Sequence, residues 1–209
     1  MELKDVIEKR TSIRMFTDQK VPVEDIKEIV RRAGLAPSIN NSQPWKFIAI
    51  TNNVIIDQMG GIVQQKVLEL FPHENIEEKM FAQAKVLKAS TFFMDAPLLI
   101  AVEMSPYKAI VEELLKGREL SLEDVNRLRN YPNIQSIGAA VENLILSAFD
   151  LGYGACWLSG LLIARDELEK LLGIKSPNIL AACVAIGKPR ETSQQREKKE
   201  LNEIFKLIE

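Results

Sequence analysis

Apolar residues in this chain recur at two periods, and the switches between them mark out its elements. In LKDVIEK, Leu3, Val6 and Ile7 share one helical face. In VPVEDIKEIVRRAG, Ile26, Ile29, Val30 and Ala33 recur at helical spacing, with Glu24 and Asp25 in the first turn and Arg31 and Arg32 in the last. Those charges suit the helix dipole, and Gly34 is placed to close the helix. WKFIAIT alternates like a strand. NVIIDQMGGIVQQKVLELF and IEEKMFAQAKVLKASTFF read as helices, the first weakened by Gly60 and Gly61. APLLIAVEM and NILAACVAIG read as buried strands, YGACWLSG as a short strand and turn, and ARDELEKLLG as a helix.

The clearest helix is IQSIGAAVENLILSAFDLG. Ile137, Ala140, Val141, Leu144, Ile145 and Ala148 form its main stripe, Leu146 and Phe149 widen it, and Asn143, Ser147 and Asp150 leave a narrow polar strip. A helix apolar around most of its circumference is central, covered by its own core or by a partner. Residues 106–130 are the most charged part of the body and read as an excursion from it. The end of the chain is polar and charged until IFKLI, a small apolar patch with no core of its own, which suits either docking on a partner or a frayed end.

Composition narrows the function classes. The 209 residues fit one domain, and 27 basic against 29 acidic residues give no bulk electrostatic case for nucleic acid or a membrane surface. No apolar run approaches the ~20 residues that span a bilayer. The amphipathic N-terminus lacks an apolar leader core, so cytoplasm is the expected compartment. Cys156 and Cys183, each in an apolar stretch, read as reduced core thiols. With His73 the one histidine, set in a polar connector, neither a zinc site nor a histidine triad is expected. Any redox or transfer chemistry would therefore belong to a bound cofactor.

Four stretches carry candidate chemistry. In RTSIR, Arg10, Ser12 and Arg14 are spaced i, i+2, i+4, so in an extended segment they share one side and suit a phosphate; taken alone, the motif reads more readily as a solvated basic turn. In GKPRE, Lys188 and Arg190 flank a proline after a buried strand, a second anion site or a charged strand exit. In APSINNSQPWKF, Ser38, Asn40, Asn41 and Gln43 offer donors and acceptors that suit a heterocycle edge or a polyol. The alternative is a loop that hydrogen-bonds itself, with Trp45 as a core anchor. In CWLSGL, Ser159-Gly160 allows close backbone approach to a flat ligand, or makes a simple turn. Together they describe a ligand with a phosphate, a hydroxylated linker and a planar ring; no GxGxxG or Walker loop is present.

RTSIRMF, APSINNSQPWKF, IGAAVENLILSAFDLGYGACWLSG and AIGKPRE, in this order, resemble the nitroreductase family of FMN-dependent oxidoreductases. The resemblance implies an α+β homodimer, an α/β/α sandwich with a mostly antiparallel sheet and a central interface helix. It implies a domain over residues 1–190, a lid at 106–130, and an arm over 191–209 that wraps the partner subunit. Carried over, Arg10, Ser12, Lys188 and Arg190 hold the phosphate and ribityl chain of FMN, and Arg14 lies nearer the pyrimidine. Pro37, Ser38, Ile39, Asn41 and Gln43 reach the partner's flavin, and the backbone of Leu158, Ser159 and Gly160 meets the hydride-accepting edge. NADH or NADPH would donate the hydride, and a nitroaromatic, quinone or similar small acceptor would take it, with no catalytic side chain and no metal. The alternatives are a reductive dehalogenase or dehydrogenase of the same fold, or a non-catalytic FMN-binding protein. Gln135 stands where relatives often carry an acidic residue, and ASTFFMD offers no clear equivalent of a lysine or asparagine that some relatives place near the ring.

Overall fold

The computed structural model describes residues 1–72, 77–107, 121–191 and 195–209. Helices α1 (Leu3–Lys9) and α2 (Val23–Ala33) precede strand β1 (Trp45–Ile50); α3 (Asn53–Leu70) and α4 (Glu77–Thr91) follow, then β2 (Leu98–Met104). Next come α5 (Leu122–Leu128), the long α6 (Pro132–Asp150), β3 (Gly154–Leu158), α7 (Arg165–Leu172), β4 (Ile179–Gly187) and the short α8 (Leu201–Ile204). The strands form one antiparallel sheet in the order β1-β2-β4-β3.

The continuous apolar runs of β2 and β4 fall in the middle of the sheet because both of their faces are covered. Leu99, Ala101, Cys183 and Ala185 point into a core with Ile56, Met59, Val63 and Val67 of α3 and Leu168 of α7. Leu98, Ile100, Val102, Ala182, Val184 and Ile186 point the other way, against Ile29 and Ala33 of α2 and Ile137, Val141, Leu144 and Ala148 of α6. The expected α+β sandwich is therefore present, with a helical layer on each side of the sheet. Each large side chain buried this way stabilises the fold by about 1.5–3 kcal/mol.

Three local features fill out these element readings. Helix α3 runs unbroken through Gly60-Gly61, because the missing side chain at Gly60 leaves room for Met94; a Cβ there would lie 2.2 Å from its Sδ. Gly34 caps the C-terminus of α2 as expected, in the right-handed region at φ −67°, its N–H donating to the Val30 carbonyl at 2.9 Å. The polar strip of α6 faces its neighbours rather than water. Asn143 donates its amide to the Arg32 carbonyl at 3.4 Å, Ser147 is buried, and Asp150 accepts from the Arg32 guanidinium at 2.6 Å. The α1 face is also barer than expected: Val6 is buried, but Leu3 and Ile7 are exposed. In the excursion, α5 is capped by Ser121 and Asp124, each bonding the other's backbone N–H; residues 108–120 and His73 lie outside the described residues.

Candidate cofactor and anion site

The segment Arg10–Phe16 is extended and sewn to the rim of the sheet. Ser12 bridges Ala155, and the Ile13 N–H donates to the Ala155 carbonyl at 3.0 Å. Further along, Phe16 bridges Pro189, Thr17 N–H donates to Lys188 O at 2.9 Å, and Arg190 N–H to Met15 O at 3.0 Å. Ile13 and Phe16 anchor it by burying their side chains. Gly154 makes room: a Cβ there would meet Ile13 Cγ1 at 2.6 Å. With Ile13 turned inward, alternation sends Arg10, Ser12 and Arg14 to one side. They line a cavity of about 210 Å³, together with Thr11 and, from the C-terminal segment, Gln195, Arg196 and Lys198.

No carboxylate among the described residues lines this cavity. Among the described residues, none of Arg10, Arg14, Arg196 and Lys198 has an ion-pair partner, although most other charged helix surfaces pair at i, i+3 or i, i+4. Three forked guanidiniums and an ammonium beside two hydroxyls match the acceptor-only periphery of a phosphate. The buried Cys156 stands behind the site. Burial pushes its thiol up, while the Arg14 charge and the Ser12 hydroxyl pull it back.

Lys188 and Arg190 reach the same segment from its other side. Arg190 lines a neighbouring cavity of about 500 Å³ with Lys9, Gly152 and Tyr153, and the two cavities share Thr11. The Lys188 ammonium donates to the Gly152 carbonyl at 3.0 Å and lies 4.2 Å above the Tyr153 ring. Tyr153 is itself fixed: its buried hydroxyl donates to Asp25 Oδ2 at 2.5 Å, and burial, then that carboxylate, pushes it up to about 12. Thus Arg10, Ser12 and Arg14 converge in this chain, while the two late cations stand beside the cluster rather than within it.

The amide-rich loop leans on the N-terminal end of α6. Ile39 N–H donates to Ser136 Oγ at 3.1 Å, and that hydroxyl donates to Pro132 O at 2.8 Å. The loop also bonds itself, with Gln43 N–H donating to Ser38 Oγ at 3.0 Å and the Gln43 amide to Asn41 Oδ1 at 3.3 Å. Asn40 donates to the buried Tyr107 hydroxyl. Asn40, Asn41 and Gln43 are held at φ 47°, 52° and 43°. Such left-handed residues cost about 1 kcal/mol or more each and cluster where surroundings enforce them. Pro37, Asn40, Asn41 and Gln43 are exposed, whereas Ser38 and Ile39 are half-buried. Gln135 is spoken for locally, its amide donating to Asn130 O at 2.7 Å.

Leu158 ends β3, and Ser159 precedes a 3-10 turn, Gly160–Ala164. The space at Gly160 is taken by Ser90: a Cβ would lie 2.7 Å from its hydroxyl. Ser90 is buried in the ASTFFMD stretch, so a hydroxyl reaches the β3 exit from there. Sequence reasoning passed over Ser90, Tyr107, Ser136 and the QREKK run at 195–199; only the run carries a visible sign, a block of cations.

The model of the nitroreductase family matches residues 7–188, which spans the Arg10–Arg14 segment, the amide-rich loop, the β3 exit and Lys188. The chain belongs to the nitroreductase family. Within that family, an iodotyrosine deiodinase of Hydra vulgaris is 27% identical over 201 residues, covering 94% of this chain and 69% of that protein. A BluB-like flavoprotein from Clostridium difficile 630 superimposes with a TM-score of 0.88 at 32% identity over the full length of both chains. A nitroreductase with bound FMN from Bacteroides fragilis NCTC 9343 has the same fold, with a TM-score of 0.71 at 19% identity over both full lengths. Among the described residues of this nitroreductase-family chain, no cluster of carboxylate, thiol or imidazole groups can hold a metal, and no helix is long and apolar enough to cross a membrane.

Proposed function

We propose that this nitroreductase-family chain is an FMN-dependent NAD(P)H oxidoreductase acting on a nitroaromatic, a quinone or a similar small acceptor. The observation that carries the reading is the cationic cavity of Arg10, Ser12 and Arg14, which suits the cofactor's phosphate end. When bound, FMN supplies the redox chemistry, a two-step exchange in which donor and acceptor use one face in turn.

The chain's own residues bind, orient and exclude water. Arg10 and Ser12 hold the phosphate, with Lys188 and Arg190 flanking it, and Arg14 adds positive charge toward the ring. The backbone of Leu158, Ser159 and Gly160 borders the ring edge. Pro37, Ser38, Ile39, Asn41 and Gln43 serve the site of a second copy, which is why their exposed amides stand away from this chain's own cation cluster. A homodimer is supported by the apolar surface one chain leaves bare: Leu3, Ile7, Leu35, Ile134 and the arm residues Leu201 to Ile208. Residues 1–190 form the cofactor-binding body and 191–209 the arm that wraps the partner, in a cytoplasmic protein.

Purified protein should be yellow, release FMN on denaturation, and lose flavin absorbance within seconds of anaerobic NADH or NADPH addition. Colourless protein that takes up no FMN would refute the reading. Bound flavin that NAD(P)H does not bleach would leave a binding protein in place of an enzyme. The deiodinase relative favours a second reading, reductive dehalogenation at the same site. A screen of nitroaromatics, quinones and halogenated phenols against the pre-reduced protein separates the two.

A further inference from the structure

The anion cavity has a wall that the family motifs do not supply. Arg196 and Lys198 line it from the C-terminal segment, facing Arg10, Ser12 and Arg14. Gln195 fastens this wall, its side-chain amide donating to the Arg10 carbonyl at 3.4 Å. Residues 195–200 form no helix or strand, and Glu197, between the two cations, does not line the cavity. Alternation along an extended segment thus sends both cations inward and the intervening carboxylate out.

Four cations around about 210 Å³, none with a carboxylate partner among the described residues, repel one another. The arm has carboxylates to spare, in Glu197, Glu200 and Glu203, yet none lines the cavity. Such a cluster is relieved by an anion shared among its members, and a dianionic phosphate monoester accepts from several donors at once. Just beyond, Leu201, Ile204, Phe205, Leu207 and Ile208 are all exposed, with Phe205 at 60% and Ile208 at 82%. The arm therefore has little hold on its own chain apart from this cavity.

Resting on the FMN reading above, we propose that Arg196 and Lys198 are phosphate ligands donated by the root of the arm. The cofactor's phosphate then fastens that root to Arg10–Arg14 and sets the direction in which the apolar arm leaves. Cofactor loading and arm seating are linked, and the linkage is reciprocal.

Full-length protein freed of flavin is titrated with FMN and with riboflavin, which lacks the phosphate. The variants are the double substitution R196Q/K198Q and, as a control outside the cavity, K199Q. The Kd for FMN should rise about tenfold for each cation removed, the scale of a charge-assisted hydrogen bond at a partly exposed site. Riboflavin affinity should not change, and K199Q should match wild type. Inorganic phosphate should compete with FMN in wild type and less well in R196Q/K198Q. Hydrogen exchange over residues 195–209 should slow on adding FMN but not riboflavin. R196Q/K198Q that binds FMN as wild type does, or loses FMN and riboflavin alike, overturns the inference alone. Wild type that binds neither flavin overturns it together with the FMN reading.

Discussion

Lys188 shows how much of a side chain's role is set by residues that sequence spacing does not connect. Its ammonium rests on the Tyr153 ring and the Gly152 carbonyl, and Tyr153 is held in turn by Asp25 of α2. Removing that hydroxyl in Tyr153→Phe should destabilise the protein by about 1.5–3 kcal/mol, the worth of a hydrogen bond to a charged group. The tyrosine's folded value of about 12 stands above its ordinary 10.0, so the neutral hydroxyl is favoured in the native state. Its contribution is complete below pH 10 and declines as pH rises toward 12. Urea melts at neutral and alkaline pH should show a smaller decline in Tyr153→Phe than in wild type, the remainder coming from groups such as the buried Cys156 and Cys183 thiols, which burial also pushes up. At the cation cluster, Arg14→Ala should weaken FMN binding about tenfold or shift its reduction potential. Unchanged affinity and unchanged potential, from flavin titration and dye equilibration, would remove Arg14 from the site. The side shared by Arg10, Ser12 and Arg14 was legible because period two applies to any extended segment. The orientation of Lys188 was not, because it depends on Tyr153 and Asp25, which are 128 positions apart.

Elements were more legible than their contacts. Each strand was readable from alternation or from an unbroken apolar run, since burial on one or both faces imposes those patterns. Helix α3 survives two glycines because packing against Met94 outweighs local propensity, and a single sequence does not display that contact. The strip on α6 was legible as polar but not as buried, since its partners come from α2. The same reasoning gives Gly154 a role beyond turning the chain: its missing Cβ lets Ile13 hold Arg10–Arg14 against β3. Gly154→Ala should cost about 1–3 kcal/mol by overpacking and, by lifting that segment, weaken FMN binding as well. Wild-type stability together with wild-type FMN affinity would show that the segment is positioned by something else.

For the whole molecule, the apolar surface left bare on a single chain is what the proposed second copy would cover. IFKLI was visible in the sequence as a patch without a core, and in the structure Ile204, Phe205, Leu207 and Ile208 are exposed. Burying several such side chains against a partner is worth about 1.5–3 kcal/mol apiece. Truncation after Glu200 should therefore weaken dimerisation by about 100-fold or more, read by sedimentation at a series of concentrations. Native mass spectrometry of the freshly purified full-length protein tests the central claim most directly, because it reports subunits and cofactor together. Two chains carrying two FMN molecules is the predicted species. A single chain that acquires no FMN, even with the cofactor in excess, would contradict the account.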